Sequence, residues 1–291
     1  MSSVSQADAT PAANAEATEQ PQKNYDNRSK KYIWSMVNEL ARVVVYFYDD
    51  GRRGRDVLRE FLGNTEIDAL QSDGYRSSLS RLLPKGRKNV YMYIDNELIN
   101  VDHLCCFAHA RAKFLYALEQ GKDDEAEFFL RLIGRLYELE EQYRLRHLTP
   151  EQIYRERQGV ETTRIIRQLR ERLDKLLADG NPMRGDLMHK ALNYLNSFWN
   201  QLILYLKDGR YNIDNSLAER SLRTMTVERK NSLGFGSHAG VEVSVIYHTF
   251  IETCKMCGVS TLEYFKEFFK AIMQGRTDYE NLLPMTIGIK K

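Results

Sequence analysis

A continuous block of helical patterns, from Ala110 to about Lys207, constrains the fold of this chain more than any other feature. Segments within it, among them "EAEFFLRLIGRLYELEEQYR" and "TTRIIRQLRERLDKLLADG", have apolar residues three and four positions apart, which is the spacing of amphipathic helices. The residues before the block, 31–109, alternate between strand-like runs and a helical pattern, which is typical of a mixed α/β sheet. This order predicts an α/β domain that is interrupted by a large all-helical insertion.

The strand-like runs before the block are short and rich in β-branched and aromatic residues. "KYIWSMVN" and "ARVVVYFYDD" are separated by a short polar break, which predicts an antiparallel hairpin. "RGRDVLREFLG" predicts a helix that ends at Gly63. "EIDALQSDGY" predicts a short strand and a turn, and "DHLCCFAH" predicts a buried strand. Residues 9–30 lack apolar periodicity, so we expect a mobile tail there and ordered structure from about Lys31.

Charge and cysteine content narrow the classes of function. The 42 Lys and Arg residues against 40 Asp and Glu residues give a net charge of +2, so local basic patches must hold any nucleic acid partner. Four cysteines are too few and too clustered for the disulfide framework of a secreted protein, which favours the cytoplasm. Cys254 and Cys257 have zinc-site spacing, but buried thiols are the favoured interpretation because no second spaced pair exists.

No segment indicates a membrane or a secretory route. The N-terminus lacks the basic start and the apolar core of a signal peptide, and no apolar run is long enough to span a bilayer. We therefore expect no membrane partner.

A first candidate carboxylate is Glu219, in "IDNSLAERSLRTMTVERKN". Asp214 or Asn215 can cap the helix that this segment predicts. The apolar residues on one face of this helix are Ala218, Leu222 and Met225. Glu219, Arg223 and Lys230 lie on a neighbouring polar face, which sets one carboxylate among cations. The alternative is an ordinary solvated Glu219/Arg223 pair. Further helices are predicted from about Glu242 to Cys257 and at "TLEYFKEFFKAIMQG".

A second candidate carboxylate is Asp73, which follows a predicted strand in "LQSDGY". A carboxylate at a strand end can reach a metal ion. The alternative is that Asp73 and Gly74 only form the turn.

Four segments resemble the successive signatures of the insertion-sequence 66 family of transposases, in the family's order: "LQSDGY", "LCCFAHARAKF", "IDNSLAERSLRTMTVERKNSLGFGS" and "YENLLPMTIGI". The similarity covers nearly everything from about Lys31 to Ile289. It implies a ribonuclease H-like α/β fold and a DDE-type transposase, in which three acidic residues bind two divalent ions, Mg²⁺ or Mn²⁺. These ions drive hydrolysis and strand transfer at a phosphodiester.

The resemblance assigns the acidic residues one by one. The family's Asp-Gly-Tyr motif matches at Asp73 and its Ala-Glu-Arg motif matches at Glu219, so these residues inherit the second and third acidic roles. The first acidic residue of the family ends the first strand, in a motif resembling Ala-Asp-Glu-Thr-Pro. The nearest match here is "QADATP", which makes Asp8 the candidate. Ala9 replaces the usual glutamate, and the preceding "SSVSQ" is short and weakly apolar, so this part of the pattern departs from the family.

The resemblance also indicates which residues contact DNA. We expect four cations to neutralise phosphates of the transposon end: Arg220, Arg223, Arg229 and Lys230. The alternative is a solvated basic helix face. His109 and Arg111, in "FAHARAKF", match the family's His-Ala-Arg segment, and we expect them to contact phosphate or to support the metal carboxylates. A structural histidine that caps the strand is the alternative for His109.

The resemblance implies five parts of the chain. They are a flexible N-terminal segment with a remnant of the first catalytic strand (1–30), the first part of the catalytic domain (31–109), the helical insertion (110–207), the catalytic helix with a Gly-rich loop (208–240) and a C-terminal helical element (241–291).

Two hypotheses about function follow. Members of the family usually carry helical and zinc-binding segments before the catalytic domain, and we find none of them upstream of Asp8. The first hypothesis is an active DDE transposase whose partners are transposon-end and target DNA, further copies of the chain on DNA, and accessory proteins of the same element. The second is a truncated, catalytically inactive remnant that acts as a DNA-binding or regulatory protein.

Overall fold

The computed structural model describes residues 4–12, 31–50, 52, 55–63, 67–72, 101–181, 185–231, 235 and 237–288, with the backbone alone at 4–12, 31, 55, 56 and 229. The chain is mixed α/β, mostly helical with little strand. It divides into two compact units. The first contains the described residues within Met1–Asp68 and Leu217–Lys291, and the second contains those within Ala69–Arg76 and Ile99–Ser216.

Three antiparallel strands form the sheet of the first unit: β1 (Val4–Ala12), β2 (Lys31–Asn38) and β3 (Val43–Tyr48). β2 pairs with both other strands. The turn between β2 and β3 is closed by Asn38, whose side-chain oxygen accepts from the backbone N–H of Ala41 at 3.0 Å. The predicted hairpin is therefore confirmed.

The tail predicted for residues 9–30 is wrong at its start, because β1 continues to Ala12 and pairs with β2 over its length from Gln6. The ladder of a strand is made by backbone groups that a neighbouring strand satisfies, so a strand can form without apolar periodicity of its own. Residues 13–30, the rest of the predicted tail, lie outside the described residues.

Four described α-helices belong to the first unit: α1 (Arg55–Leu62), α8 (Ser216–Asn231), α9 (His238–Cys257) and α10 (Thr261–Met273). Of these, α8 and α9 share a core with its sheet. One core cluster contains Ile33, Val37, Val44 and Tyr46 from the sheet, Ala218, Leu222 and Met225 from α8, and Val241 and Val245 from α9. The predicted inward stripe of α8 is confirmed. Thr249 and Thr253 of α9 accept hydrogen bonds from backbone N–H groups of β3, so this helix closes the outer edge of β3.

The ends of these helices follow their capping residues. α1 ends where predicted, at Gly63, which has a positive φ of 53°. α9 begins four residues before the predicted start because the Ser237 hydroxyl accepts from the backbone N–H of Gly240. It ends at Cys257, where Gly258 takes the left-handed conformation.

The second unit contains two short parallel strands and the helical block. Strands β4 (Ala69–Gln71) and β5 (Asp102–Leu104) pair in parallel. The helices are α2 (Phe107–Glu119), α3 (Glu125–Leu145), α4 (Pro150–Arg157), α5 (Val160–Ala178), α6 (Asp186–Ser197) and α7 (Trp199–Ile203). The predicted helical block is confirmed.

The strand predicted for "DHLCCFAH" is too long, since β5 ends at Leu104 and α2 begins at Phe107. The apolar residues after the strand belong to a helical stripe, in which Phe107, Ala110, Phe114 and Ala117 are buried. An apolar run of this length does not by itself distinguish a strand from a buried helix.

A buried ion pair fixes the end of the helical block. Arg157 of α4 is 3% exposed and pairs with Glu140 of α3 at 2.7 Å. Its guanidinium also donates to the backbone oxygens of Tyr205, Asp208 and Tyr211. The segment that leads to α8 is thus tied to the helices before it. Among the described residues, none of the helices is both long and apolar enough for a bilayer crossing.

Candidate functional site

Glu219 lies in the first turn of α8 and is half-buried, with its Oε1 atom out of contact with solvent. The neighbouring Ala218 and Leu222 face the core, which fixes the rotation of the helix. Asp214 accepts from the backbone N–H of Ser216, the first residue of the helix, at 2.9 Å, so of the two predicted capping residues Asp214 satisfies an N–H group at this end. A carboxylate in the first turn is favoured by the helix dipole.

A buried hydrogen-bond network anchors α8 to the sheet beside Glu219. The hydroxyl oxygens of Ser35 on β2 and Ser221 on α8 are 3.1 Å apart, and both side chains are buried. The Tyr46 hydroxyl donates to the backbone oxygen of Ser221 at 2.6 Å. Burial raises the pKa of this phenol well above its usual range, so Tyr46 stays a neutral donor. The start of α8 is therefore held against β2 and β3.

Asp8 lies on β1, directly opposite Ser35 in the register of β1 and β2. Ser35 is also the residue whose hydroxyl contacts Ser221, so Asp8 lies on the strand next to that contact. Only the backbone of Asp8 is among the described features. The expectation that Asp8 ends its strand is wrong, because β1 runs four residues further, to Ala12.

The exposed side of α8 is cationic. Arg220, Arg223 and Lys230 are exposed and form no ion pair with any residue that the structure describes. Arg223 therefore does not form the ordinary ion pair with Glu219 that was the alternative interpretation. Arg229 lies on the same helix, and its side chain is outside the described features.

In the second unit, the residues that precede Asp73 are fixed by buried polar contacts. Gln71, the last residue of β4, is 1% exposed, and its amide donates to the backbone oxygens of Cys105 at 3.4 Å and Asn212 at 3.0 Å. The Ser72 hydroxyl and Nε2 of His103 on β5 are 3.0 Å apart. Asp73 itself lies outside the described residues.

His109 and Arg111 lie on α2, not at the end of a strand. The alternative of a strand-capping role for His109 is wrong, because two helical residues and a two-residue connection separate it from β5. His109 is half-buried, and one of its ring nitrogens is within 4.8 Å of the Cys106 thiol. Arg111 is exposed.

Tyr137 of α3 holds the segment before α8. Its hydroxyl donates to Asp214 Oδ2 at 2.7 Å. Burial and the adjacent Asp214 carboxylate raise the pKa of this phenol far above its usual range. The Asp214 carboxylate thus accepts from both Tyr137 and the backbone of Ser216, where α8 begins.

All four cysteines are buried thiols outside any disulfide bond, which agrees with the predicted interpretation of Cys254 and Cys257. Both lie on α9. Burial is the larger cause and the nearby Cys257 is a smaller one, and they raise the pKa of the Cys254 thiol to about 11. A thiol with a raised pKa is a poor metal ligand at neutral pH because metals bind the thiolate.

Several residues that fix this geometry were missed from sequence. Ser221 falls inside the apolar stripe of α8, between Ala218 and Leu222, and Gln71 falls inside the apolar run of β4. A polar residue on a face predicted to be buried is a signal for a hydrogen bond across the core. The sequence does not give its partner.

Comparison with known proteins identifies relatives along most of the chain. The model of the family described as "Transposase IS66 family" matches residues 1–243. The uncharacterized protein y4qI of Sinorhizobium fredii is 30% identical over 265 residues, which are 88% of this chain and 47% of that protein. The uncharacterized protein y4jD of the same organism is 25% identical over 244 residues, 83% of this chain and 45% of that protein. The chain thus spans about half the length of these curated relatives. No solved structure matches the chain.

Proposed function

The chain belongs to the IS66 transposase family, and from this premise we propose that it carries the catalytic part of a DDE-type transposase, which cleaves DNA and transfers strands with the help of divalent metal ions. We further propose that its α/β part is ribonuclease H-like. The proposed site carboxylates are Asp8, Asp73 and Glu219.

The observation that carries this proposal is the link from β1 through β2 to α8. Asp8 is opposite Ser35 in the sheet, and Ser35 contacts Ser221, two residues after Glu219. Two acidic residues that are 211 positions apart in sequence (219 − 8) thus belong to adjacent parts of one compact unit. Two carboxylates, one on a strand and one at the start of a helix, can supply part of the oxygen ligands of a divalent cation.

The donor set fits hard metal ions. Carboxylate oxygens are the ligands that Mg²⁺ prefers, and Mn²⁺ accepts the same set. Asp8, Asp73 and Glu219 would hold two such ions, which supply a Lewis acid and an activated water or 3′-hydroxyl for phosphodiester chemistry. The protein's own role is to orient these carboxylates. The buried contacts of Gln71, Ser72 and Ser221 support that role because they fix the backbone next to Asp73 and Glu219.

DNA is the proposed partner. The exposed Arg220, Arg223 and Lys230 would neutralise phosphates of DNA that lies along α8, together with Arg229 of the same helix. We propose a phosphate contact or a supporting role for His109 and Arg111. We also propose that the protein acts on transposon-end and target DNA as a homo-oligomer, with accessory proteins of the same element.

The test is cleavage and joining of DNA that carries the ends of the element encoding this chain, in Mg²⁺ or Mn²⁺. Glu219→Gln and Asp73→Asn are each expected to abolish the reaction while the protein stays folded. Glu263→Gln is the matched control, since Glu263 is also in the first turn of a helix, α10, and its side chain is 52% exposed. It should react like the wild type.

The outcomes separate the two hypotheses. If the wild type binds element ends but never cuts them, the chain is the inactive DNA-binding remnant. If the wild type cuts and both substitutions leave cutting unchanged, the site assignment is wrong.

A further inference from the structure

A cavity of about 480 Å³ in the first unit lies between the end of α8, Phe235 and one face of α9. Its α9 residues recur at helical spacing, so they form one continuous stripe. The lining residues are Glu228, Phe235, Gly240, Val243, Ser244, Tyr247, His248 and Ile251. None of them belongs to the carboxylate site proposed above.

The polar part of this cavity is a carboxylate whose position is fixed from two sides. Nε2 of His248 is 3.0 Å from Glu228 Oε2, and the Ser244 hydroxyl donates to the same oxygen at 3.1 Å. Nδ1 of His248 is 2.9 Å from the backbone oxygen of Ser244, which fixes the imidazole ring. The other carboxylate oxygen of Glu228, Oε1, makes no hydrogen bond within the part of the chain that the structure describes. The cavity therefore offers a hydrogen-bond acceptor.

The walls of the cavity are apolar and partly exposed. Tyr247 is 44% exposed and Val243 is 53% exposed, and Phe235 completes the lining. A Cβ atom at Gly240 would lie 2.2 Å from the backbone oxygen of Phe235, so only glycine lets the Phe235 backbone approach α9 this closely. Gly240 thus determines where the Phe235 wall stands.

This combination matches the shape and chemistry of a nucleobase. Aromatic walls stack on a flat heteroaromatic ring, and a carboxylate accepts from the exocyclic amine of adenine or cytosine. A phosphate is disfavoured at the same place because Glu228 would repel it. Arg223 and Lys230 are exposed on α8, the helix that carries Glu228, and offer positive charge to the sugar-phosphate backbone of bound DNA. We propose that this cavity receives one unpaired base of the bound DNA, turned out of the stack.

The inference rests on the proposed function only in taking DNA as the partner. Enzymes that act on DNA can hold a base outside the duplex in a pocket with aromatic walls and hydrogen bonds to the base edge. The pocket binds a base without metal or cleavage, so it can be measured separately from the reaction.

The test uses a short single-stranded oligonucleotide with one 2-aminopurine between two abasic sites, in EDTA. Stacking on Tyr247 should quench the 2-aminopurine fluorescence as protein is added. Tyr247→Ala should remove the quenching and weaken binding by roughly fivefold or more. Tyr279→Ala is the matched control, because Tyr279 is an exposed tyrosine of the same unit outside the cavity. It should bind and quench like the wild type.

Two further variants keep the test decisive if Tyr247→Ala unfolds, since the Tyr247 ring also packs 5.6 Å from the ring of Phe265. Tyr247→Phe should retain the affinity, and Tyr247→Leu should weaken it while preserving apolar packing. A preference for adenine over thymine at the central position, of roughly tenfold, should fall in Glu228→Gln.

Binding without quenching, or quenching that survives Tyr247→Leu, would overturn the base pocket and leave the cleavage proposal standing. Retained quenching in a protein that never cleaves element ends would overturn the proposed function and leave the pocket standing.

Discussion

The hydroxyl groups of Ser35 and Ser221 meet at 3.1 Å in the core of the first unit and join strand β2 to helix α8. Ser35 is the register partner of Asp8, and Ser221 is two residues from Glu219. This buried contact and the pairing of β1 with β2 together link the two chain segments that carry the first and third proposed carboxylates.

This contact predicts a coupled effect on stability. Ser35→Ala or Ser221→Ala leaves a buried hydroxyl with one partner fewer, which should lower the free energy of unfolding by about 1–3 kcal/mol each. In urea denaturation the double substitution should cost less than the sum of the two single ones, because both remove the same hydrogen bond. Strict additivity would show that the two hydroxyls do not interact.

We expect a substitution of Gln71 to affect both the stability of the protein and the cleavage reaction. Gln71→Leu keeps a similar side-chain volume but deprives the Cys105 and Asn212 carbonyls of a donor, so the free energy of unfolding should fall by about 1–3 kcal/mol. Since Gln71 is two residues before Asp73, cleavage of element ends should also require more Mg²⁺. A Mg²⁺ titration of the wild type and the variant measures this change. Equal Mg²⁺ dependence would mean that Gln71 is only structural.

The cations of α8 predict a change in salt dependence. Arg220→Ala or Arg223→Ala should weaken DNA binding and reduce the slope of log K against log salt by about 1 for each phosphate that the variant no longer neutralises. Stability should be almost unchanged because both side chains are exposed. Arg155→Ala, at an exposed arginine of α4, is the control and should leave the slope alone. Slopes that respond equally to all three substitutions would contradict a specific DNA face.

Cys254 predicts a pH dependence of stability. Its pKa in the folded protein is about 11, above its ordinary value, so the folded state retains the proton longer than the unfolded state. Below the unfolded pKa the full contribution is present, and it is lost as pH rises toward 11. The difference in free energy of unfolding between the wild type and Cys254→Ala should therefore shrink between about pH 9 and pH 11. A constant difference across that range would contradict the raised pKa.

Local patterns predicted much of this fold. The α8 stripe of Ala218, Leu222 and Met225, the hairpin of β2 and β3, and the helical block each follow from spacing within one segment. Features that depend on a distant partner were not predictable in this way. The extension of β1 to Ala12 depends on pairing with β2, and the Ser35–Ser221 hydrogen bond joins residues 186 apart in sequence.

The candidate site was predicted from resemblance more than from pattern. The position of Glu219 at the start of a helix follows from its sequence context, since Asp214 caps that end. Asp8 had no strand signal strong enough to indicate its neighbour on β2, because its own segment is polar and short in apolar residues. Its register with Ser35 emerges only from the paired strands.

We propose above that Asp8, Asp73 and Glu219 hold divalent metal ions together. Fe²⁺ in place of Mg²⁺, with ascorbate and peroxide, cleaves a protein backbone near the bound ion, and mass spectrometry locates the cuts. We expect cuts grouped around residues 8, 73 and 219, suppressed by excess Mg²⁺ and abolished in Glu219→Gln. Cuts that fall elsewhere, or that persist in Glu219→Gln, would contradict the shared cluster.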